Sequence, residues 1–184
     1  MKDLKLLLLL LLLFLFCSSC NDNYQDPQTF IQESKKKDLS ILFNVSIEAR
    51  YEGSNNEMHY YYSHTLINND TLTVPSFEYF DDFYKKDTST YNKIFNKLYI
   101  DKENKEKSPL IFARKYSQQI DRIYRDLNVI DIRSLPASGR FIIFTINKKF
   151  KVYYLEDSKT LNKYWQNYFT KLKKVNPKWF YEEF

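Results

Sequence analysis

His59 and His64 are the two histidines of this chain, five residues apart. Within one strand an odd separation sends side chains to opposite faces, so the pair does not converge on an ion. Zinc takes three or four ligands, and no HExxH-type helix supplies them. Packing or surface roles are therefore expected for both, and no metal or other cofactor is expected. Glu78, Asp81 and Asp82 form the densest carboxylate group. Paired carboxylates hydrolyse glycosidic bonds when they stand roughly 5–9 Å apart across a cleft. Acids in a first helical turn also favour the helix dipole and face solvent, which is the better reading here. Glycine excludes more. Gly53 and Gly139 are the two glycines and lie far apart. Phosphate-cradling loops, dinucleotide fingerprints and the Gly-x-Ser-x-Gly elbow all need clustered glycines, so those activities are excluded. The chain is expected not to be an enzyme; an envelope hydrolase using acidic residues is the alternative.

Aromatic residues make up 18% of the chain, with 16 Tyr and 15 Phe. Tyr60, Tyr61 and Tyr62 cannot all point inward from one strand, because alternate residues face opposite ways. An exposed tyrosine offers ring area with a polar tip, suited to stacking on a sugar or to a protein interface. These three are therefore read as a candidate exposed aromatic patch. An AT-rich genome also yields abundant Lys, Asn, Ile, Tyr and Phe, so composition alone does not make a site. The net charge is +5, with both signs interspersed, which describes a solvated surface and gives no reason to expect nucleic acid.

The two cysteines, Cys17 and Cys20, both lie near the start. Met1 to Lys5 is short and net positive, and Leu6 to Phe16 is an unbroken apolar run of 11 residues. As a helix that run reaches about 16 Å, roughly half of a hydrocarbon core of about 30 Å. Asn21, Asp22 and Asn23 follow directly and prevent its extension. This is the layout of a secretory signal peptide. Phe16-Cys17-Ser18-Ser19-Cys20 resembles the lipobox of bacterial lipoproteins, with Ser18 and Ser19 as the small residues before the cut and Cys17 where Leu, Val or Ile is usual. The resemblance covers the first twenty residues. It implies cleavage after Ser19, acylation of Cys20 (palmitate among the chains) and attachment to a membrane of the cell envelope. Asn21 is not the Asp that marks inner-membrane retention in some bacteria, so the outer membrane or cell surface is expected. The mature part keeps one cysteine, occupied by lipid, and therefore no disulfide.

The elements follow from periodicity. Residues 20–28 are polar, contain Pro27 and read as a lipidated tether. Residues 29–184 read as a single domain, long enough for one sizeable core. Phe43, Val45, Ile47, Ala49 and Tyr51 alternate with polar residues and predict a strand, returned by a second strand over 57–67 and a third over 71–74. Phe77, Phe80 and Tyr84, then Tyr91 to Tyr99, then Phe112 to Leu127 have helical spacing, with Ser76 and Ser108-Pro109 as helix starts. Strands return at 129–133 and in a hairpin, 141–146 and 150–155. Asp157-Ser158 caps a last helix along Leu161, Trp165, Tyr168, Leu172 and Val175, with Lys159, Lys163, Lys171 and Lys174 on its outer side. Asn176-Pro177 ends it, and Trp179 to Tyr181 dock the tail.

The order strands, helices, strands, helix predicts an α+β domain: a mainly antiparallel sheet, built from an N-terminal meander and a C-terminal hairpin, packed with three to four helices. Asp70-Thr71-Leu72 resembles the Asp-Thr/Ser-apolar acceptor of O-glycosylation in some bacterial lineages, which makes Thr71 a candidate. The expected function is a cell-envelope lipoprotein that binds an envelope protein or glycan, with an inhibitory or protective lipoprotein as a further alternative.

Overall fold

The computed structural model describes residues 26–48, 51–53, 57–101 and 108–184. Cys20 lies outside them. The class is α+β, with eight strands in one sheet and every neighbouring pair antiparallel. In chain order the described elements are α1 (Pro27–Ser34), β1 (Val45–Glu48), β2 (Tyr51–Glu52), β3 (Met58–His59), β4 (Tyr62–Ile67), β5 (Asp70–Pro75), α2 (Phe80–Lys86), α3 (Thr88–Asp101), α4 (Pro109–Leu127), β6 (Asp131–Ser134), β7 (Arg140–Thr145), β8 (Phe150–Asp157), α5 (Lys163–Phe169), β9 (Lys173–Asn176) and β10 (Trp179–Glu183). Among the described residues five α-helices stand where three to four were expected.

The sheet runs β5-β4-β1-β6-β7-β8-β10-β9, while β2 and β3 make a separate two-stranded ribbon. Ile47 of β1 pairs with Ser63 of β4 on one side and Ile132 of β6 on the other. That seam joins the N-terminal meander to the C-terminal strands, so the two predicted pieces are one sheet.

Two hydrophobic clusters divide between its faces. The larger contains Val45, Ile47, Leu72, Val74, Ile132, Ile142, Phe144, Val152 and Trp179, all beneath α1, α3 and α4. In α4, Phe112, Ala113, Tyr116, Ile120, Tyr124 and Leu127 bury one stripe at the period of 3.6. Two of the polar contacts beneath it are direct: the Ser117 hydroxyl donates to the Pro75 carbonyl at 2.6 Å, and the Tyr116 and Thr65 hydroxyls meet at 3.0 Å. The ends of α4 are set by residue type. The Ser108 side chain accepts from the Ile111 N–H, Pro109 opens the helix, and Asn128 closes it in the left-handed conformation. The second cluster, Phe141, Ile143, Tyr153, Leu155, Leu161, Phe169 and Phe180, lies on the other face beneath α5. Hence Phe141-Ile142-Ile143-Phe144 is apolar at every position, as a strand covered on both faces must be.

The structure corrects several boundaries. Pro27 and Gln28 belong to α1 and not to the tether, because the Asp26 carboxylate accepts from the Gln28 and Thr29 N–H groups and starts the helix there. Ser76 makes no side-chain cap. The strand predicted over 57–67 is two strands, broken at Tyr60 and Tyr61. The last helix is the seven residues of α5. Its cap is Asn162, which accepts from the Trp165 N–H at 3.0 Å, whereas Asp157 caps a separate short 3-10 turn. Past Phe169 the chain forms the β9–β10 hairpin, turned by Asn176, whose side-chain oxygen accepts from the Lys178 and Trp179 N–H groups. Lys163 is on α5, but Lys171 lies in a turn and Lys174 in β9, so the predicted lysine row does not exist.

Candidate functional site

The tyrosine run does not form the predicted patch. Tyr60 is only 3% exposed, its ring meeting that of Tyr124 edge-on at 5.0 Å. The strand break turns Tyr60 inward against α4, and burial pushes its hydroxyl well above the ordinary tyrosine pKa. Tyr62 is half-buried with its ring 4.7 Å from that of Phe83. Tyr61 is 37% exposed and lies 5.0 Å from Tyr79, ring to ring. Thr71 is exposed in β5, just past the hairpin turn, and neighbouring Asp70 pairs with Lys97.

The histidines go to different places. His59 sits in the small ribbon, with Nδ1 3.3 Å from Glu78 and Nε2 4.0 Å from Glu57. His64 is in β4, where its Nδ1 meets the Thr73 hydroxyl at 3.3 Å. No group of three or more His, Cys, Asp or Glu able to hold a metal occurs among the described residues. Two of the three predicted carboxylates, Asp81 and Glu78, are tied to cations, and Asp82 is exposed on α2. Both oxygens of Asp81 accept from Arg114, at 2.7 and 2.9 Å. Glu78 accepts from Arg125 at 3.1 Å, and Arg125 also holds Asp121 at 2.9 Å. Burial raises the Asp121 pKa more than Arg125 lowers it. This network fastens the β2–β3 ribbon to α4.

Two aromatics are far more exposed than Tyr61: Tyr164 on α5 and Phe184, which follows β10. Trp165 and Phe169, one turn apart, face the sheet: Trp165 lies 4.5 Å from the Phe141 ring and Phe169 lies 5.0 Å from Phe180. Tyr164 and Tyr168, also one turn apart, stack at 6.2 Å with 19° between their planes. Tyr164 is 66% exposed. Tyr168 stands at its inner edge and donates its hydroxyl to Glu182 at 2.7 Å. Tyr153, buried under the helix, donates to the other Glu182 oxygen. Burial foremost, reinforced by Glu182, holds the Tyr153 hydroxyl far above the ordinary tyrosine range. Both Glu182 oxygens are thus occupied, so this carboxylate anchors α5 to β10 and is not free to act as a general base.

Beside this ridge is a hollow of about 500 Å³, lined by Tyr168, Leu172, Tyr181 and Glu182 together with Lys171 and Lys173. The chain matches no protein-family model, and no significant match is found among curated proteins or solved structures. The site therefore rests on its own geometry: a rigid helix presenting stacked tyrosines, an aromatic layer beneath, and lysines with carboxylates around it. The spacing of Tyr164 and Tyr168 beside the Trp165 and Phe169 stripe was the signal. Both pairs are aromatic, so hydrophobic periodicity does not say which of them faces out.

Proposed function

We propose that this chain is a cell-envelope lipoprotein, held on a membrane by lipid at Cys20, whose α+β domain binds a partner protein through α5. The observation that carries the binding role is Tyr164, two-thirds exposed yet fixed by stacking on Tyr168. A rigid exposed tyrosine loses little side-chain entropy on contact and supplies large contact area. An exposed tyrosine within a polar rim fits the composition of protein-binding surfaces. The anchor rests on the signal layout and the small residues before Cys20.

A photo-crosslinking residue at position 164 of the full chain, in the cells that make it, tests the binding role. Discrete protein adducts at position 164, absent with the same residue at position 73 on the open sheet face, are expected. No protein adduct at 164, or equal adducts at both positions, contradicts the reading. Retention on isolated envelope glycan without protein adducts would instead favour a sugar ligand. The anchor is tested by Cys20→Ala, expected to release the chain from membranes; continued sedimentation with them sinks the lipid assignment.

A further inference from the structure

A second concavity lies on the opposite face of the sheet from α5, between the C-terminal end of α1, β8 and the β9–β10 turn. It is a cleft of about 390 Å³, within the range of small-molecule sites. Half-buried Tyr154 forms one wall, backed by Trp179 at 4.8 Å ring to ring and by Phe43 at 6.2 Å.

The polar groups of the lining are mostly donors. Asn176 has its oxygen filled by two backbone N–H groups, which leaves its amide hydrogens to offer. Ser34 is 0% exposed and its hydroxyl has no hydrogen-bond partner among the described residues. Buried hydroxyls are ordinarily answered, by protein, water or a ligand.

Charge narrows the choice further. Lys37 is paired with Asp126 at 2.9 Å, and Glu156 is paired with Arg140. Lys35 and Lys178 form no ion pair among the described residues, and Asp38 lines the same cleft. Its carboxylate accepts from the Ser40 N–H at 2.9 Å, which keeps its pKa low and the group ionised. Two ammoniums against one carboxylate leave one positive charge unmatched. A monoanion balances it, whereas a phosphate dianion would oppose Asp38.

We infer that this cleft, independently of the α5 surface, binds a small monocarboxylate carrying a flat apolar ring. The carboxylate meets Lys35 and Lys178, and the ring lies against Tyr154.

The probe is benzoate, with benzyl alcohol supplying the ring without charge and acetate the charge without ring. The chain has two tryptophans, so Trp165→Phe leaves Trp179 as the reporter in the cleft wall. Benzoate is expected to change Trp179 fluorescence saturably at about millimolar concentration, and K35Q/K178Q to weaken binding about tenfold while circular dichroism stays that of the parent. Amide shifts of the unsubstituted full chain provide a second reading, expected at Ser34, Lys35, Asn176 and Lys178. The inference is overturned by no saturable response to benzoate in either measurement, by an equal response to benzyl alcohol or acetate, or by unchanged affinity in K35Q/K178Q. None of these outcomes bears on adducts at position 164, so this inference and the binding role of α5 fail separately.

Discussion

The two halves of the sheet share one buried face and differ in the other. Across β1, β4 and β5 the second face carries Ser46, His64, Leu66 and Thr73, all half-exposed, with Thr71 fully so. Across β7, β8 and β10 it carries Phe141, Ile143, Tyr153, Leu155 and Phe180, all buried beneath α5. The first half is an ordinary amphipathic sheet. The second is a strand layer between two hydrophobic clusters, and the helix that seals it is also the one that displays Tyr164. The contrast implies that stability is concentrated in the C-terminal half and that the proposed binding surface is built on its most rigid part.

The largest effect separating the halves is expected in the C-terminal core. Phe141→Ala removes a fully buried ring packed on Trp165 at 4.5 Å and on Phe169 at 5.6 Å, and should cost about 3–5 kcal/mol of unfolding free energy in urea titration. Thr73→Ala, on the open face, should stay within about 0.5 kcal/mol. Equal losses would erase the distinction.

Next in size is Phe169→Ala. It should cost about 3 kcal/mol, because the ring fills the space between Phe141 and Phe180. It should also raise amide exchange in β8 and β10 before β4 and β5.

A smaller loss follows from Tyr153→Phe, which deletes the hydroxyl donated to Glu182 and should cost about 1–2 kcal/mol near neutrality. The pKa of Tyr153 is raised in the folded state. Its contribution is therefore complete below the unfolded tyrosine value of about 10 and is lost as pH climbs past it. The variant should close the gap to the parent above about pH 10, as read by unfolding free energy against pH.

The smallest effect is Asp121→Asn. Burial raises the Asp121 pKa, so the stability linked to this carboxyl is full below about pH 3.9 and falls as pH rises through the raised value. Removing the charge at pH 7 should change stability by under about 1 kcal/mol, because Arg125 keeps Glu78 at 3.1 Å. A loss of several kcal/mol would mean that the ribbon is held by this one carboxylate.

The same contrast governs what could be read in the residues. Val45, Ile47 and their polar neighbours alternate because one face is open, and the N-terminal strand was legible for that reason. The α4 stripe and its caps were legible because period and termini agreed. The β7–β8 hairpin was legible too, but the β9–β10 hairpin was not. Leu161, Trp165, Tyr168 and Leu172 keep helical spacing while the chain leaves the helix after Phe169, since the period persists through the turn that follows. Trp179 and Phe180 held the contrary signal: adjacent large apolar residues, buried in different clusters on opposite faces, require a strand. The tyrosine patch was misplaced because alternation was carried through a strand break that only the packing of Tyr60 on Tyr124 explains.

Amide hydrogen exchange tests the central claim most directly, comparing the purified full chain with the same chain in envelope preparations from its own cells. Added protection is expected at residues 163–169 and in the β9–β10 hairpin, with the open face of β4 and β5 unchanged. Protection gained on β4 and β5 with none at α5 would contradict the assignment of α5 as the binding surface.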